Sequence, residues 1–241
     1  MTAHRSPLTA HGFFVTGTDT GVGKTLVSAA LLRALAAEGL RVIGMKPVAA
    51  GCDEAGVNDD VRALTQASNV NAPAGLVNPY CFAPPVAPHI AAERAGVAID
   101  LDVIADAFAA LQARAEVVVV EGAGGFRVPL AQQTDFGDLA QRLALPVILV
   151  VGMRLGCLNH ALLTAEAVRA RGLRLAGWVA NHIDAAMAEQ DANVAALAAR
   201  LATPLLARIP PLAAPDPQQI ATRIDLSLLA TQLPRRSVGK P

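Results

Sequence analysis

The chain has 241 residues, of which 53% are hydrophobic and 17% charged, enough apolar material for a core and too little charge for a disordered segment. Twenty basic side chains offset 20 acidic ones, so no net field draws the molecule to nucleic acid or to an anionic membrane. Only 3% of residues are aromatic, which argues against a base-stacking platform, and no apolar run approaches the roughly 20 residues that span a bilayer.

The length predicts one domain over residues 1–241, with frayed ends at about 1–11 and 235–241. The opening MTAHRSPLTAHGFFVTG has neither the apolar core nor the cleavage site of a leader peptide, so a cytoplasmic protein is expected. The first predicted strand is Phe13 to Thr16, and a helix follows from Thr25 to Ala37, stopped by Gly39. Between them runs VTGTDTGVGKT, Val15 to Thr25, in the strand-to-helix context of a phosphate-binding loop. Backbone N–H groups of Gly21, Val22, Gly23, Lys24 and Thr25 can converge there on phosphate oxygens at the positive end of the helix, with Lys24 as a mobile cation. Thr25 is the expected hydroxyl ligand to magnesium. Five residues separate Gly17 from Gly23, one more than the usual motif has, and Thr18 stands where its first glycine belongs.

A second strand, Val42 to Met45, ends in Lys46, and Pro47 fixes the chain just beyond it. A lysine at that sheet edge faces phosphate or an anionic substrate. Ala50 to Asn58 and the proline-rich Asn71 to Pro88 break the periodic pattern and are candidate active-site loops. Between them Asp59 and Asp60 open the helix DDVRALTQA, and spacing does not choose between the two carboxylates. A helix over Asp100 to Arg114 leads to the apolar strand Val117 to Glu121, then to Gly122, Gly124 and Gly125, so an acid stands beside a close-approach turn.

Helices over Phe136 to Leu143, Cys157 to Arg171 and Glu189 to Leu201 alternate with strands Val147 to Val151, Gly177 to Ala180 and Leu205 to Ile209. Strands apolar throughout belong in a parallel sheet covered on both faces, which predicts an α/β, doubly wound, mainly parallel fold. Cys52, Cys81 and Cys157 are odd in number and lack metal-ligand spacing, so reduced thiols are expected rather than a disulfide. Taken singly, His89, Cys157, Asn159 and His160 read as packing or capping, and no nucleophile with a base and an orienting partner stands out. The residues themselves thus lead to a magnesium-dependent nucleotide hydrolase or transferase.

VTGTDTGVGKT, GMKPVAAG, VNPYCFAPPVAPHIAA, VEGAGG, LPVILVVGMRLGCLNHALLTA and LAGWVAN occur in the order found in the dethiobiotin synthetase family, and the resemblance extends from about Phe13 to Leu212. It implies a P-loop nucleoside triphosphate hydrolase fold and a homodimer. It implies an ATP- and Mg2+-dependent ring closure of 7,8-diaminopelargonate with carbon dioxide to dethiobiotin, through a carbamate and a carbamic-phosphoric anhydride, with release of ADP and phosphate. By the same resemblance Thr25, Asp60 and Glu121 hold the metal, and Lys46, Lys24 and Thr20 are catalytic. Gly21 to Leu26 cradle phosphate, Gly122, Ala123 and Gly124 line the nucleotide site, Asn181 and His182 meet adenine, and Pro210, Pro211 and Leu212 flank it. Lys46 and Ala50 meet the substrate, joined across the dimer by Leu155, Gly156, Cys157, Leu158 and Asn159. Three positions depart from common family residues: Gly21 for glutamate, Ala50 for serine and His182 for aspartate. The alternative is a P-loop ATPase switch acting through protein or DNA partners. Such proteins resemble K-G-G-x-G-K-T, whose first lysine falls here on Asp19.

Overall fold

The computed structural model of the protein describes residues 11–234. In chain order the elements are β1 (His11–Gly17), α1 (Lys24–Ala37), β2 (Val42–Met45), β3 (Val48–Ala50), α2 (Asp59–Ala67), α3 (Ala74–Val77), β4 (Tyr80–Phe82), α4 (Pro88–Ala95) and α5 (Leu101–Gln112). There follow β5 (Val117–Gly125), α6 (Phe136–Arg142), β6 (Val147–Gly152), α7 (Cys157–Ala170), β7 (Leu175–Asn181), α8 (Gln190–Leu201), β8 (Leu205–Ile209), α9 (Pro217–Ala221) and a 3-10 turn over Leu226–Gln232.

Six strands pair in the order β2-β5-β1-β6-β7-β8, every pair parallel. Strand side chains alternate between faces, so Phe13 and Val15 pack with α1, α2 and α9, whereas Phe14 joins the opposite layer of α4 to α8. Both layers are apolar, and that explains the unbroken hydrophobic strands. Burial of side chains such as Trp178, Phe13 and Phe14 stabilises the sandwich by about 1.5–3 kcal/mol each. From central β1 the chain moves to β2 on one side, and β6, β7 and β8 extend the sheet on the other, leaving a crevice beyond the carboxyl ends where such folds bind ligands.

Every predicted strand and helix is present, β2, α2 and β8 with the expected ends and the others with shifted ones, and four readings are corrected. Residues 50–58 and 71–88 are not wholly irregular: they contain the end of β3, α3 and β4, and β3 and β4 form a parallel two-stranded sheet of their own. The strand β5 runs through the glycines to Gly125, because Gly125 still pairs with Gly17 of β1. Cys52 and Cys81 are joined in a disulfide, and only Cys157 is free among the described residues. Ala49 pairs with Cys81, and the Cys52 amide donates to the Phe82 carbonyl at 3.0 Å, so strand register meets two thiols that sequence spacing keeps apart.

His11, expected in a frayed end, begins β1 opposite Val117, and its Nδ1 lies 2.8 Å from the Gln232 carbonyl. Residues 1–10 and 235–241, the remainder of the expected frayed ends, lie outside the described residues. Among the described residues no helix is long and apolar enough to cross a membrane.

Candidate active site

The loop between β1 and α1 is held by close backbone approach. Gly23 caps α1 with φ 89°, and a Cβ there would lie 2.3 Å from Asn181 Nδ2. Only glycine satisfies both the left-handed backbone and that contact. Asn181 Nδ2 in turn donates to the Val22 carbonyl at 2.9 Å, tying the end of β7 to the loop. Lys24 is buried, and its Nζ donates to the Asp19 carbonyl at 2.9 Å. Burial, aided by the nearby Lys46 charge, lowers the Lys24 ammonium to about 8. Asp19 pairs with Arg154 and accepts from the Thr20 amide, so the position of the switch-protein lysine carries an engaged acid.

Beside the loop, Thr25 Oγ1 lies 2.7 Å from Asp60 Oδ1 and 2.9 Å from Glu121 Oε1, two carboxylate acceptors for its single hydroxyl proton. Lys46 Nζ lies 2.6 Å from Glu121 Oε1, 2.8 Å from Asp60 Oδ2 and 3.1 Å from the Gly122 carbonyl. Burial opposes the Lys46 charge, but the carboxylates of Glu121 and Asp60 outweigh it and hold the ammonium above the usual lysine value. Burial alone would raise Asp60; Lys46 and the Thr25 hydroxyl overcome that and keep its carboxyl below the usual carboxylate range. The two aspartates left open by spacing now separate. Asp59 is 95% exposed and pairs with Arg62, whereas Asp60 is 39% exposed and faces Thr25 and Lys46.

These residues fit a divalent cation. One hydroxyl and two carboxylates meet, and Glu121 Oε2 is buried without a hydrogen-bond partner, which suits a hard cation taking oxygen ligands. Among the described residues no group of three His, Cys, Asp or Glu side chains is placed to hold a metal, so the candidate set depends on the Thr25 hydroxyl.

A cavity of about 650 Å³ gathers Thr20, Gly21, Gly23, Lys24, Thr25, Lys46, Ala50, Asp60, Ala123 and Gly124. Pro85 to Pro88 and Val128 complete its lining. A second cavity of about 490 Å³ collects Leu26, Asn181, His182, Pro210, Pro211 and Leu212. Val22 and Glu121 are buried behind the loop, and Gly122 contributes its carbonyl to Lys46. Leu155 to Asn159 line neither cavity: Leu155 is 94% exposed ahead of α7, while Cys157 is buried in the core.

A family described as an AAA domain matches residues 11–219. The chain is 55% identical over 223 residues to the ATP-dependent dethiobiotin synthetase of Janthinobacterium sp. (strain Marseille), covering 90% of this chain and 94% of that one. It is 56% identical over 216 residues to the ATP-dependent dethiobiotin synthetase of Nitrosospira multiformis, covering 90% and 95%. The chain belongs to the dethiobiotin synthetase family. Its members are ATP-dependent enzymes, which separates this chain from proteins that share only its architecture. The MinD-type fold of the MinC:MinD cell division complex of Aquifex aeolicus aligns with TM-score 0.59 at 15% identity, over 96% of this chain and all of that one. A ParA family ATPase of Chlorobium tepidum aligns with TM-score 0.52 at 13% identity, over 92% and 90%. These likenesses show the P-loop fold alone.

For a dethiobiotin synthetase, three parts of this site escaped sequence reasoning. Val128 lines the large cavity after β5 has ended, with no motif to mark it. The proline-rich stretch is a candidate loop in the sequence, but its individual wall residues, Pro85 to Pro88, are not. Asn58 lies in a candidate loop in the sequence with no role of its own, though an asparagine before two aspartates is an N-cap signal. Its side chain accepts from the Asp60 amide at 2.9 Å and donates to the Ala50 carbonyl at 3.1 Å, coupling two pocket residues.

Proposed function

We propose that this enzyme makes dethiobiotin in biotin biosynthesis from 7,8-diaminopelargonate, carbon dioxide and ATP, in the cytoplasm and as a homodimer. What carries the reading is the Lys46 ammonium, 3% exposed, set against two carboxylates in the cavity that also opens on the phosphate-binding loop. An anionic substrate entering that cavity meets Lys46 on one side and Lys24 on the other.

In this reading the loop amides of Gly21 to Thr25 and the Lys24 ammonium hold the triphosphate, with Thr20 at the cavity rim. Thr25, Asp60 and Glu121 hold Mg2+, which when bound neutralises charge on the phosphates. One substrate amine takes up carbon dioxide as a carbamate, and Lys46 steadies its negative charge. Two anions must approach one another, so positioning and fixed cations do most of the catalytic work. A carbamate oxygen attacks the γ-phosphorus, ADP leaves, and a carbamic-phosphoric anhydride remains. The second amine then attacks the carbonyl carbon, closes the ring and expels phosphate.

Asn181 and His182, facing Pro210, Pro211 and Leu212 across the smaller cavity, receive adenine, and Leu26 lies beside it. Gly122 to Gly124 border the nucleotide. Leu155 to Asn159 serve the partner subunit: the highly exposed Leu155 and the α7 N-terminus are free to reach a second protomer, and a helix N-terminus suits the substrate carboxylate.

The test is ADP release by purified protein with Mg-ATP, with and without diaminopelargonate and bicarbonate, together with mass detection of dethiobiotin. Release that needs both substrates and matches product is expected. ATP hydrolysis indifferent to both, with no product, would overturn the reading and restore the ATPase-switch alternative.

A further inference from the structure

The small β3–β4 sheet carries chemistry that nucleotide binding leaves unused. Its register brings Cys52 and Cys81, 29 positions apart, to a Cα separation of 6.2 Å, inside the roughly 4.4–6.8 Å that a disulfide requires, and the two are bonded. Both are half-buried, unlike Cys157 in the core. Cys81 also lines a cavity of about 380 Å³ shared by α2 and α3, so the bonded pair borders open space on the Cys81 side. A disulfide on a short ribbon outside the main sheet is of the exposed kind that exchanges, in contrast to one sealed in a core.

The bond sits against the wall of the large cavity. Ala50 lines that cavity two residues before Cys52, and Pro85 lines it four residues after Cys81. The two loops touch, since a Cβ on Gly51 would stand 3.3 Å from Pro85. Asn58 carries any shift of this ribbon onward, bonded at once to the carbonyls of Ala50 and Gly51 and to the amide of Asp60.

We propose that Cys52 and Cys81 form a reversible modification site for low-molecular-weight disulfides such as oxidised glutathione, and that their oxidation clamps the wall of the substrate pocket. The identity of that pocket rests on the function proposed above. One cysteine thiolate attacks the reagent disulfide, releasing one small thiol and leaving a mixed disulfide. The second thiolate then displaces the other small thiol and the Cys52–Cys81 bond forms. Two thiol protons and two electrons leave the protein, and one reagent disulfide becomes two thiols. Oxidation removes the freedom of Ala50 and Pro85 to separate, so substrate meets a preorganised wall.

The experiment equilibrates the full-length protein across glutathione ratios, locates free thiols by alkylation and peptide mass, and measures steady-state kinetics on the same samples. With alkylation carried out after acid quench and unfolding, Cys52 and Cys81 are expected to be blocked together in oxidised buffer while the core thiol of Cys157 is alkylated at every ratio. The KM for diaminopelargonate is expected to be about threefold higher in the reduced protein, with the KM for ATP nearly unchanged. The double variant Cys52→Ser, Cys81→Ser should match the reduced protein at every ratio. Three free thiols in oxidised buffer would overturn the site, and a formed bond with an unchanged KM would overturn the clamp. Absence of turnover in both redox states would count against the synthetase reading instead. Hydrogen exchange over residues 50–58 and 83–88 then decides the clamp: slower exchange in the oxidised protein upholds it, and equal exchange overturns it.

Discussion

The two walls of the large cavity are built in different ways. On the side of the glycine-rich loop, Gly21 to Thr25 come from one unbroken segment between β1 and α1, locked by the contact of Gly23 with Asn181 and backed by the central strands. On the opposite side, Ala50 and Pro85 to Pro88 come from loops around a two-stranded ribbon, joined by strand register, one disulfide and the bonds of Asn58. The first wall is stiff because its parts are adjacent along the chain and anchored to the main sheet through Asn181. The second owes its shape to a few long-range ties, so single changes there should alter substrate binding while leaving ATP binding intact.

The largest expected effect falls where the walls meet. Lys46→Ala should lower turnover by about 1,000-fold with ATP affinity retained, as single-turnover ADP formation and nucleotide titration would show. It also leaves Glu121 buried beside Asp60 without its cation, which should cost about 3 kcal/mol in metal-free buffer. Magnesium should recover part of that in thermal unfolding; no recovery would count against the proposed ligand set.

Next, Gly23→Ala should break the stiff wall. Its φ of 89° and the 2.3 Å approach to Asn181 Nδ2 together should weaken ATP binding by about 100-fold, or about 2.7 kcal/mol. Gly21→Ala sharpens the comparison, because Gly21 has φ 73° but no atom within 4 Å of an added Cβ. It should cost only the left-handed backbone penalty, about 1 kcal/mol in unfolding measurements.

Glu121→Gln keeps the shape of the site and removes charge from the metal candidates, so the magnesium concentration for half-maximal rate should rise about tenfold. An unchanged titration would remove Glu121 from the set. Asn58→Ala probes the second wall. Loss of the α2 cap should cost about 1 kcal/mol, and the KM for diaminopelargonate should rise with that for ATP unchanged. Asn58→Asp keeps the cap acceptor but loses the donors to Ala50 and Gly51, so it should restore stability without restoring KM.

The smallest effect is a pH dependence at His182. Burial, assisted by Arg208, holds its imidazole below the ordinary value of 6.5. The unfolded chain therefore binds that proton more readily. Stability from neutral His182 is fully present above pH 6.5 and is lost as pH falls through the lower folded value. His182→Asn should flatten this slope in unfolding measured between neutral and mildly acid pH.

Much of the stiff wall was legible in the residues. The strand, the glycines, Lys24 and Thr25 follow one another in VTGTDTGVGKT, so local spacing carries their geometry. Lys46 and Glu121 were legible as sheet-edge groups, since apolar strands of known direction must end at one edge. Their mutual distance of 2.6 Å was not, because β2 and β5 are neighbours only through a long crossover. The same limit hid the disulfide. An odd cysteine count and the absence of spacing argued for free thiols, whereas β3–β4 pairing brought two of them together.

The sequence by itself determined the alternation of apolar strands and helices, the phosphate-binding loop and the types of charged group at the sheet edge, because each depends on residues close along the chain. Spacing left Asp59 and Asp60 open and the family resemblance pointed to Asp60; tertiary structure shows Asp60 facing Thr25, and it alone shows that Lys46 bridges Asp60 and Glu121, that Asn58 links Ala50 to Asp60, and that Cys52 meets Cys81. Except for the short Asn58 link, those pairings join elements far apart along the chain, set by strand order and register, and no local periodicity encodes them.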